Sequence, residues 1–164
     1  SELLGLRGAA IAESGKASLG KTDLNFTIPA DTEGLCEITA SFDAGKKSKV
    51  EFTLSNKEGE KVIMTYDAAT RTMAFDRTGA GLSDFSQSFP AVTAAPTREN
   101  NGKIELRIFV DRSSIELFGN DGQFVMTNLV FPTSPYLNLS ISAPEGNARL
   151  NNLKIYGIKS QSSK

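Results

Sequence analysis

The amino-acid sequence predicts an all-β protein, an antiparallel β-sandwich of the jelly-roll or concanavalin-like type with about ten strands. Short stretches in which apolar and polar residues alternate recur along the chain, as in half-buried strands. Turn-forming residues, such as those at 43–46 and 55–59, separate these stretches at hairpin spacing. No window of helical length keeps an apolar stripe at the 3.6-residue period of an α-helix.

The alternation defines the strands one by one. Leu137, Leu139 and Ile141 alternate with polar residues, and residues 61–66 and 72–77 flank a turn and predict a hairpin. The predicted strands are 24–28, 35–42, 50–54, 61–66, 72–77, 104–110, 115–118, 123–131, 137–141 and 153–158.

Three stretches do not follow this pattern. Residues 3–12 predict a turn of helix, and residues 83–95 predict a longer irregular loop. The polar tail at 160–164 is expected to fray. We find no internal repeat and no linker, so a single domain over residues 1–164 is expected.

Length and charge exclude several classes of protein. A chain of 164 residues is long enough to bury a core in one domain. Its 18 basic and 19 acidic residues are nearly balanced, which argues against a nucleic-acid partner. No apolar run approaches the roughly 20 residues that span a bilayer, so no membrane partner is expected. We expect a monomer.

Cysteine and histidine usage narrows the chemistry further. The single cysteine, Cys36, lies in an alternating stretch and is interpreted as a small buried side chain. The chain has no histidine, which excludes a Ser-His-Asp or Cys-His catalytic system and any histidine-bound metal. We expect no catalytic residue, no metal site and no cofactor, although a calcium site built from oxygen ligands stays open.

The most informative stretch runs from Leu106 to Leu117. Apolar residues alternate on each side of a turn at 111–114, and that turn holds an even number of residues. Val110 should therefore face Ile115 across a hairpin.

The same parity places a second set of side chains together on the opposite face of this hairpin. The set consists of Arg107, Phe109, Asp111, Glu116 and Phe118. Two carboxylates, an arginine and two aromatic rings are unusual on a face that only meets water. The combination suits a ligand rich in hydroxyl groups.

At this hairpin the chain resembles a known family. The segments that carry the resemblance are 109–118 (FVDRSSIELF), 120–122 (NDG), 126–127 (MT), 130–132 (VFP), 66–67 (YD) and 75–79 (FDRTG). Together they are similar to the C-terminal β-sandwich of glycoside hydrolase family 32, which includes levanases, inulinases and invertases. The similarity extends over roughly residues 24–158.

The resemblance implies a domain without catalytic machinery. In that family the catalytic carboxylates belong to a separate N-terminal propeller, whose Asn-Asp-Pro, Arg-Asp-Pro and Glu-Cys motifs are missing here. A stand-alone sandwich of this kind resembles carbohydrate-binding module family 66, found on a bacterial levanase. It implies an extracellular module that recognises the terminal fructose of a β-fructan and is joined to a catalytic domain. The alternative is a structural sandwich that packs against that domain without binding sugar.

The candidate ligand-binding residues start with Asp111 and Glu116, whose carboxylates can accept hydrogen bonds from sugar hydroxyls. A pair of carboxylates can also act in glycoside hydrolysis, but the missing propeller motifs argue against catalysis. In the simplest alternative, Asp111 caps the turn and Glu116 forms an ion pair.

Four further residues complete the candidate site. Arg77 and Arg112 offer planar sets of donors that suit neighbouring hydroxyls or hold a carboxylate in place. Asp76 and Tyr66 belong to segments that carry the family resemblance. The presence of these segments across the family is equally explained by packing against the catalytic domain. For the two arginines, a role as solvated surface residues also stays open. The sequence does not distinguish levan from inulin, or binding at a chain end from binding along the chain.

Overall fold

The computed structural model describes residues 7–81, 92–99, 102–120 and 124–158. Within these ranges the chain forms thirteen strands and one short 3₁₀ turn, Ala30–Thr32. The strands are β1 Arg7–Ser14, β2 Ala17–Leu19, β3 Leu24–Thr27, β4 Cys36–Ala44, β5 Lys49–Ser55, β6 Lys61–Asp67, β7 Thr72–Asp76, β8 Val92–Pro96, β9 Lys103–Val110, β10 Ser114–Gly119, β11 Phe124–Leu129, β12 Asn138–Glu145 and β13 Ala148–Ile158.

The strands form two antiparallel sheets that pack into a sandwich. The first sheet has the order β1-β13-β4-β9-β10-β11, and β2 also pairs with β13. The second sheet has the order β3-β12-β5-β6-β7-β8. This architecture confirms the predicted all-β sandwich. In the described ranges, no helix is both long and apolar enough to cross a bilayer.

The core lies between the two sheets and is built by the alternation seen in the sequence. On β5, residues Val50, Phe52 and Leu54 are fully buried while the residues between them are partly exposed. Phe42 of the first sheet contacts Phe52 and Tyr66 of the second, with ring centroids 5.7 and 6.0 Å apart. These aromatic contacts join the sheets across the sandwich.

The hairpin has the predicted register. Val110 of β9 lies opposite Ile115 of β10, and both are buried. On the neighbouring strand β4, Cys36 lies opposite Val110 and is fully buried, as predicted. Three strands of the first sheet therefore share one register, with the apolar set turned inward.

The structure differs from the sequence-based prediction in two segments. For residues 7–12 of the predicted 3–12 segment, the helical turn is wrong, because residues 7–14 form β1 and pair with β13. Part of the predicted 83–95 loop is a strand, β8, which pairs with β7. The three-residue strand β2 was not predicted. Residues 1–6, 82–91 and 160–164, including the polar tail, lie outside the described residues.

A substitution in the core tests the packing between the sheets. Phe42→Ala removes a ring that touches aromatic partners of the other sheet. The free energy of unfolding, measured by urea denaturation, should fall by about 3–5 kcal/mol. Val125→Ala, at a side chain that is 52% exposed, is the control and should cost less than about 1 kcal/mol. Equal losses in the two variants would contradict this packing.

The buried thiol gives a second test. Burial, and to a lesser degree the neighbouring Glu37 carboxylate, raises the pKa of Cys36 from 9.0 to about 12. Because the thiolate is the reactive form, native Cys36 should resist alkylation by iodoacetamide at pH 8. It should react fully once the chain is unfolded in urea. Stoichiometric labelling of the native protein within minutes would contradict this burial.

Candidate functional site

The outward side of the first sheet, called here the hairpin face, carries the candidate site. Across it, Glu37 of β4 lies beside Phe109 of β9, which lies beside Glu116 of β10. The next row contains Thr39, Arg107, Phe118 and Val125, on β4, β9, β10 and β11. The predicted grouping of Arg107, Phe109, Glu116 and Phe118 on one face is confirmed.

An ion pair links the two rows of the hairpin face. Arg107 Nε lies 3.3 Å from Glu37 Oε2. The Glu37 side chain is completely buried, while that of Arg107 is 42% exposed. A buried carboxylate needs charged or hydrogen-bonding partners to offset its lost hydration. The pair therefore holds the guanidinium in place while leaving part of it at the surface.

Two aromatic rings flank this pair. Phe109 and Phe118 meet edge to face, with centroids 5.7 Å apart and ring planes at 89°. This geometry is favourable for aromatic pairs. Phe109 is only 7% exposed although it faces away from the core, and Phe118 is partly exposed. Phe118 is therefore the ring that a ligand can reach.

A groove of about 470 Å³ lies next to Arg107 on the hairpin face. Its walls combine a cation, a carboxylate, hydroxyls, an amide and one aromatic ring. The lining residues are Thr39, Ala40, Ser41, Glu105, Leu106, Arg107, Phe118 and Asn152. Such a mixture of donors, acceptors and one ring suits a small polar molecule.

The structure places three of the predicted ligand-binding residues on the hairpin. Glu116 is half-buried on the hairpin face and, among the described residues, its carboxylate has no hydrogen-bond partner. Asp111 is exposed at the turn, where its Oδ1 accepts a hydrogen bond of 2.7 Å from the Arg112 backbone N–H. Arg112 is 67% exposed, and its Nη2 lies 2.6 Å from Glu33 Oε1. The tip of the hairpin is thus tied to the segment that precedes β4.

Asp76 and Arg77 lie at the end of β7 in the other sheet. The Asp76 side chain accepts a hydrogen bond of 2.9 Å from the Thr78 backbone N–H and so shapes the turn after β7. Arg77 is 6% exposed and donates to the Leu129 carbonyl oxygen. Burial lowers the pKa of Arg77. Because Leu129 pairs with Ser114, which follows the turn, Arg77 donates to the strand beside the tip of the hairpin.

Tyr66 is a core residue. Its side chain is fully buried, and its hydroxyl donates a hydrogen bond of 3.0 Å to Glu99 Oε2. Burial, reinforced by that hydrogen bond, raises the pKa of the Tyr66 hydroxyl. Neither the Tyr66 nor the Arg77 side chain lies at the hairpin face, and their ligand contacts stay predictions.

Sequence reasoning missed several residues that complete this surface. Glu37, Glu105 and Asn152 were not among the candidate residues. The only sequence feature that points to these residues is alternation, because each lies beside a buried apolar residue on its strand and should therefore face outward. No group of three or more acidic, cysteine or histidine side chains in the described ranges is arranged to hold a metal ion.

Comparison with known proteins identifies the family. The sequence profile for the glycosyl hydrolases family 32 C terminal matches residues 2–157. The chain therefore belongs to the C-terminal domain of glycoside hydrolase family 32, as the resemblance of the hairpin implied.

Characterised relatives are much longer than this chain. The levanase of Bacillus subtilis (strain 168) is 36% identical over 126 residues, which cover 75% of this chain and 19% of that protein. The levanase of Bacillus sp. (strain L7) is 33% identical, over 78% of this chain and 14% of that protein. The extracellular exo-inulinase of Aspergillus awamori is 30% identical, over 87% and 27% respectively.

Solved structures agree on the fold. The exo-inulinase from Aspergillus awamori matches 96% of this chain and 31% of that chain, with a TM-score of 0.85 and 26% identity. A fructofuranosidase from Schwanniomyces occidentalis complexed with fructose has a TM-score of 0.79 over 93% of this chain and 34% of its own. At 17% identity, this second likeness shows the fold alone.

The ion pair on the hairpin face can be tested by substitution. Arg107→Ala leaves the buried Glu37 carboxylate without this partner, so the free energy of unfolding should fall by about 1–3 kcal/mol. Arg107→Lys keeps the positive charge and should cost less. Lys154→Ala, at an exposed position of the same face, is the control and should stay within about 0.5 kcal/mol. Chemical denaturation of the three variants measures this. Equal effects of Arg107→Ala and Lys154→Ala would contradict a stabilising pair.

Proposed function

We propose that this chain is a non-catalytic carbohydrate-binding module that recognises the terminal fructose of β-fructans such as levan. In this proposal it resembles carbohydrate-binding module family 66. It works outside the cell and holds an attached fructan hydrolase at its substrate. The partners are the polysaccharide and the catalytic domain of the same polypeptide.

The comparisons support the substrate class and the attachment. Relatives named levanase and extracellular exo-inulinase share this domain, which spans only 14–27% of the length of the three quoted above. Most of each relative is therefore other sequence. A module of this kind increases the local concentration of its attached enzyme on a polymer.

The observation that carries the proposal is the acidic pair at the hairpin, half-buried Glu116 and exposed Asp111. The Glu116 carboxylate has unused acceptor capacity, and Asp111 lies diagonally across the hairpin from it, at the roughly 7–8 Å between Cα atoms that diagonal neighbours have. Two acceptors at this separation can bind hydroxyls on different sides of one small ring. The partly exposed Phe118 ring offers an apolar contact nearby.

A site that holds one sugar is expected to bind it with low affinity. A hydrogen bond to a charged group contributes about 1.5–3 kcal/mol at best, and ordering and desolvation offset much of it. Levan has many chain ends, so a protein that carries several such modules can hold several ends of one polymer at once and bind more tightly through avidity.

Binding should depend on the carboxylate of Glu116. Affinity electrophoresis in gels that contain levan or inulin, with calorimetry for free fructose, measures it. The native chain should be retarded by levan, and Glu116→Gln should weaken binding about tenfold, because an uncharged amide accepts hydrogen bonds less strongly. Glu51→Gln, a half-buried carboxylate on the outer side of the second sheet, is the matched control and should leave retardation unchanged.

The proposal fails if the folded native chain binds neither levan, inulin nor fructose. If the native chain binds levan and Glu116→Gln, like Glu51→Gln, binds it equally well, the assignment of the site to Glu116 is wrong.

One observation favours the structural alternative, a sandwich that packs against a catalytic propeller. Val125 and Leu129 of β11 are 52% and 50% exposed at the edge of the hairpin face. Exposed apolar side chains on an edge strand are suited to packing against another domain. Absence of all fructan binding by the folded chain would favour this alternative over the proposed one.

A further inference from the structure

A polar surface continues from the groove beside Arg107 along the strand pair β4 and β13. On β4, the outward residues in order are Thr39, Ser41 and Asp43. On β13, Asn152 lies opposite Ser41 and Arg149 lies opposite Asp43. We call this surface, from Arg107 to Arg149, the β4–β13 track.

The track contains two depressions rather than one. The first is the groove of about 470 Å³, which includes Thr39, Ser41 and Asn152. The second, of about 400 Å³, includes Asp43 and Arg149 at the next position along the same strands. From Thr39 to Asp43 the track covers about 13 Å of strand, because each residue advances the chain by roughly 3.3 Å. This is longer than a single sugar ring requires.

A bulge shapes the track between its two depressions. The pairing of β13 with β4 shifts between Leu150 and Asn152, so Asn151 is an extra residue. Its side-chain amide donates a hydrogen bond of 3.2 Å to Asp43 Oδ1. Bulges bend a strand and redirect its side chains. Here the bulge adds an amide and fixes a carboxylate on the surface.

The charges along the track alternate in sign. The Glu37 carboxylate contacts Arg107 at one end, and Asp43 lies between Lys103 and Arg149 on its neighbouring strands at the other. No extended region of one sign results, which argues against a polyanionic ligand. Alternating donors and acceptors suit an uncharged polymer rich in hydroxyl groups.

The direction of the track relates it to the hairpin. Glu37, which precedes Thr39 on β4, lies beside Phe109, and Phe109 lies beside Glu116. The hairpin carboxylates therefore lie at one end of the same face, and the track leads away from them. A polysaccharide with its terminal sugar at the hairpin would extend over the track.

We propose that the β4–β13 track binds the sugar residues that follow the terminal fructose of a β-fructan, so that the module prefers long chains to free fructose. This inference rests on the proposed function and deepens it. Arg107 and Asn152 are the anchors, with Glu37 as a positioning residue for the Arg107 guanidinium.

Chain length combined with substitution tests the track. The ligands are fructose, a levan-derived disaccharide and tetrasaccharide, and levan, titrated by calorimetry against the complete chain. The native chain should bind the tetrasaccharide more tightly than fructose. Asn152→Ala removes one exposed amide and should weaken tetrasaccharide binding about fivefold while leaving fructose binding within about twofold.

Two further variants control this test. Arg107→Lys keeps a cation next to Glu37 but loses the planar fork, and it should show the same chain-length dependence as Asn152→Ala. Asn25→Ala changes an exposed asparagine on β3, on the outer side of the second sheet, and should bind every ligand like the native chain.

Two outcomes overturn the inference, and they are distinguishable. If fructose and the tetrasaccharide bind equally well and Asn152→Ala binds both like the native chain, the track is not a binding surface, although the proposed function stands. If no fructan of any length binds to the folded chain, the proposed function and the track fail together.

Discussion

The pairing of Val110 with Ile115 determines what this domain presents to its surroundings. Because side chains alternate along a strand, a shift of one residue in this hairpin would turn its apolar set outward and its polar set into the core. Cys36 on β4 joins the same register, so three adjacent strands share it. The composition of the hairpin face follows directly from this one constraint.

The Glu37–Arg107 pair shows how a charged group is maintained on such a face. A completely buried carboxylate is costly unless its interactions replace those with water. Holding a partly exposed guanidinium in one orientation reduces the ordering cost that a flexible side chain would otherwise add to binding. The edge-to-face contact of Phe109 and Phe118 adds a second side-chain contact beside this pair. For the proposed binding of a polysaccharide chain, a preorganised polar surface lowers the ordering cost.

Strands were predictable from the sequence where alternation was long and bounded by turns, as in β4, β5 and the β9–β10 hairpin. The misses have physical causes. β8 has no fully buried residue and ends at a proline, so its alternation gave no apolar signal, and β2 has only three residues. Residues 7–14 contain good helix formers, but pairing with the long strand β13 decides their conformation.

The site was predictable only within the hairpin. Parity correctly grouped Arg107, Phe109, Glu116 and Phe118, because these residues belong to two consecutive strands. It carried no information on contacts between distant segments. The Arg77 guanidinium is therefore found on the Leu129 carbonyl, and Glu37 is found beside Arg107 although about 70 residues separate them in sequence. Such contacts depend on how the two sheets and their strands are ordered.

An NMR titration of the ¹⁵N-labelled chain with a levan-derived tetrasaccharide reveals which face of the sandwich binds sugar. Backbone amide shifts should concentrate on the hairpin face, in β4, β9, β10 and β13, and the outer side of the second sheet should remain unchanged. Shifts that cluster instead on β3, β12 and β5 would contradict the account, because sugar would then bind on the side of the sandwich opposite the hairpin.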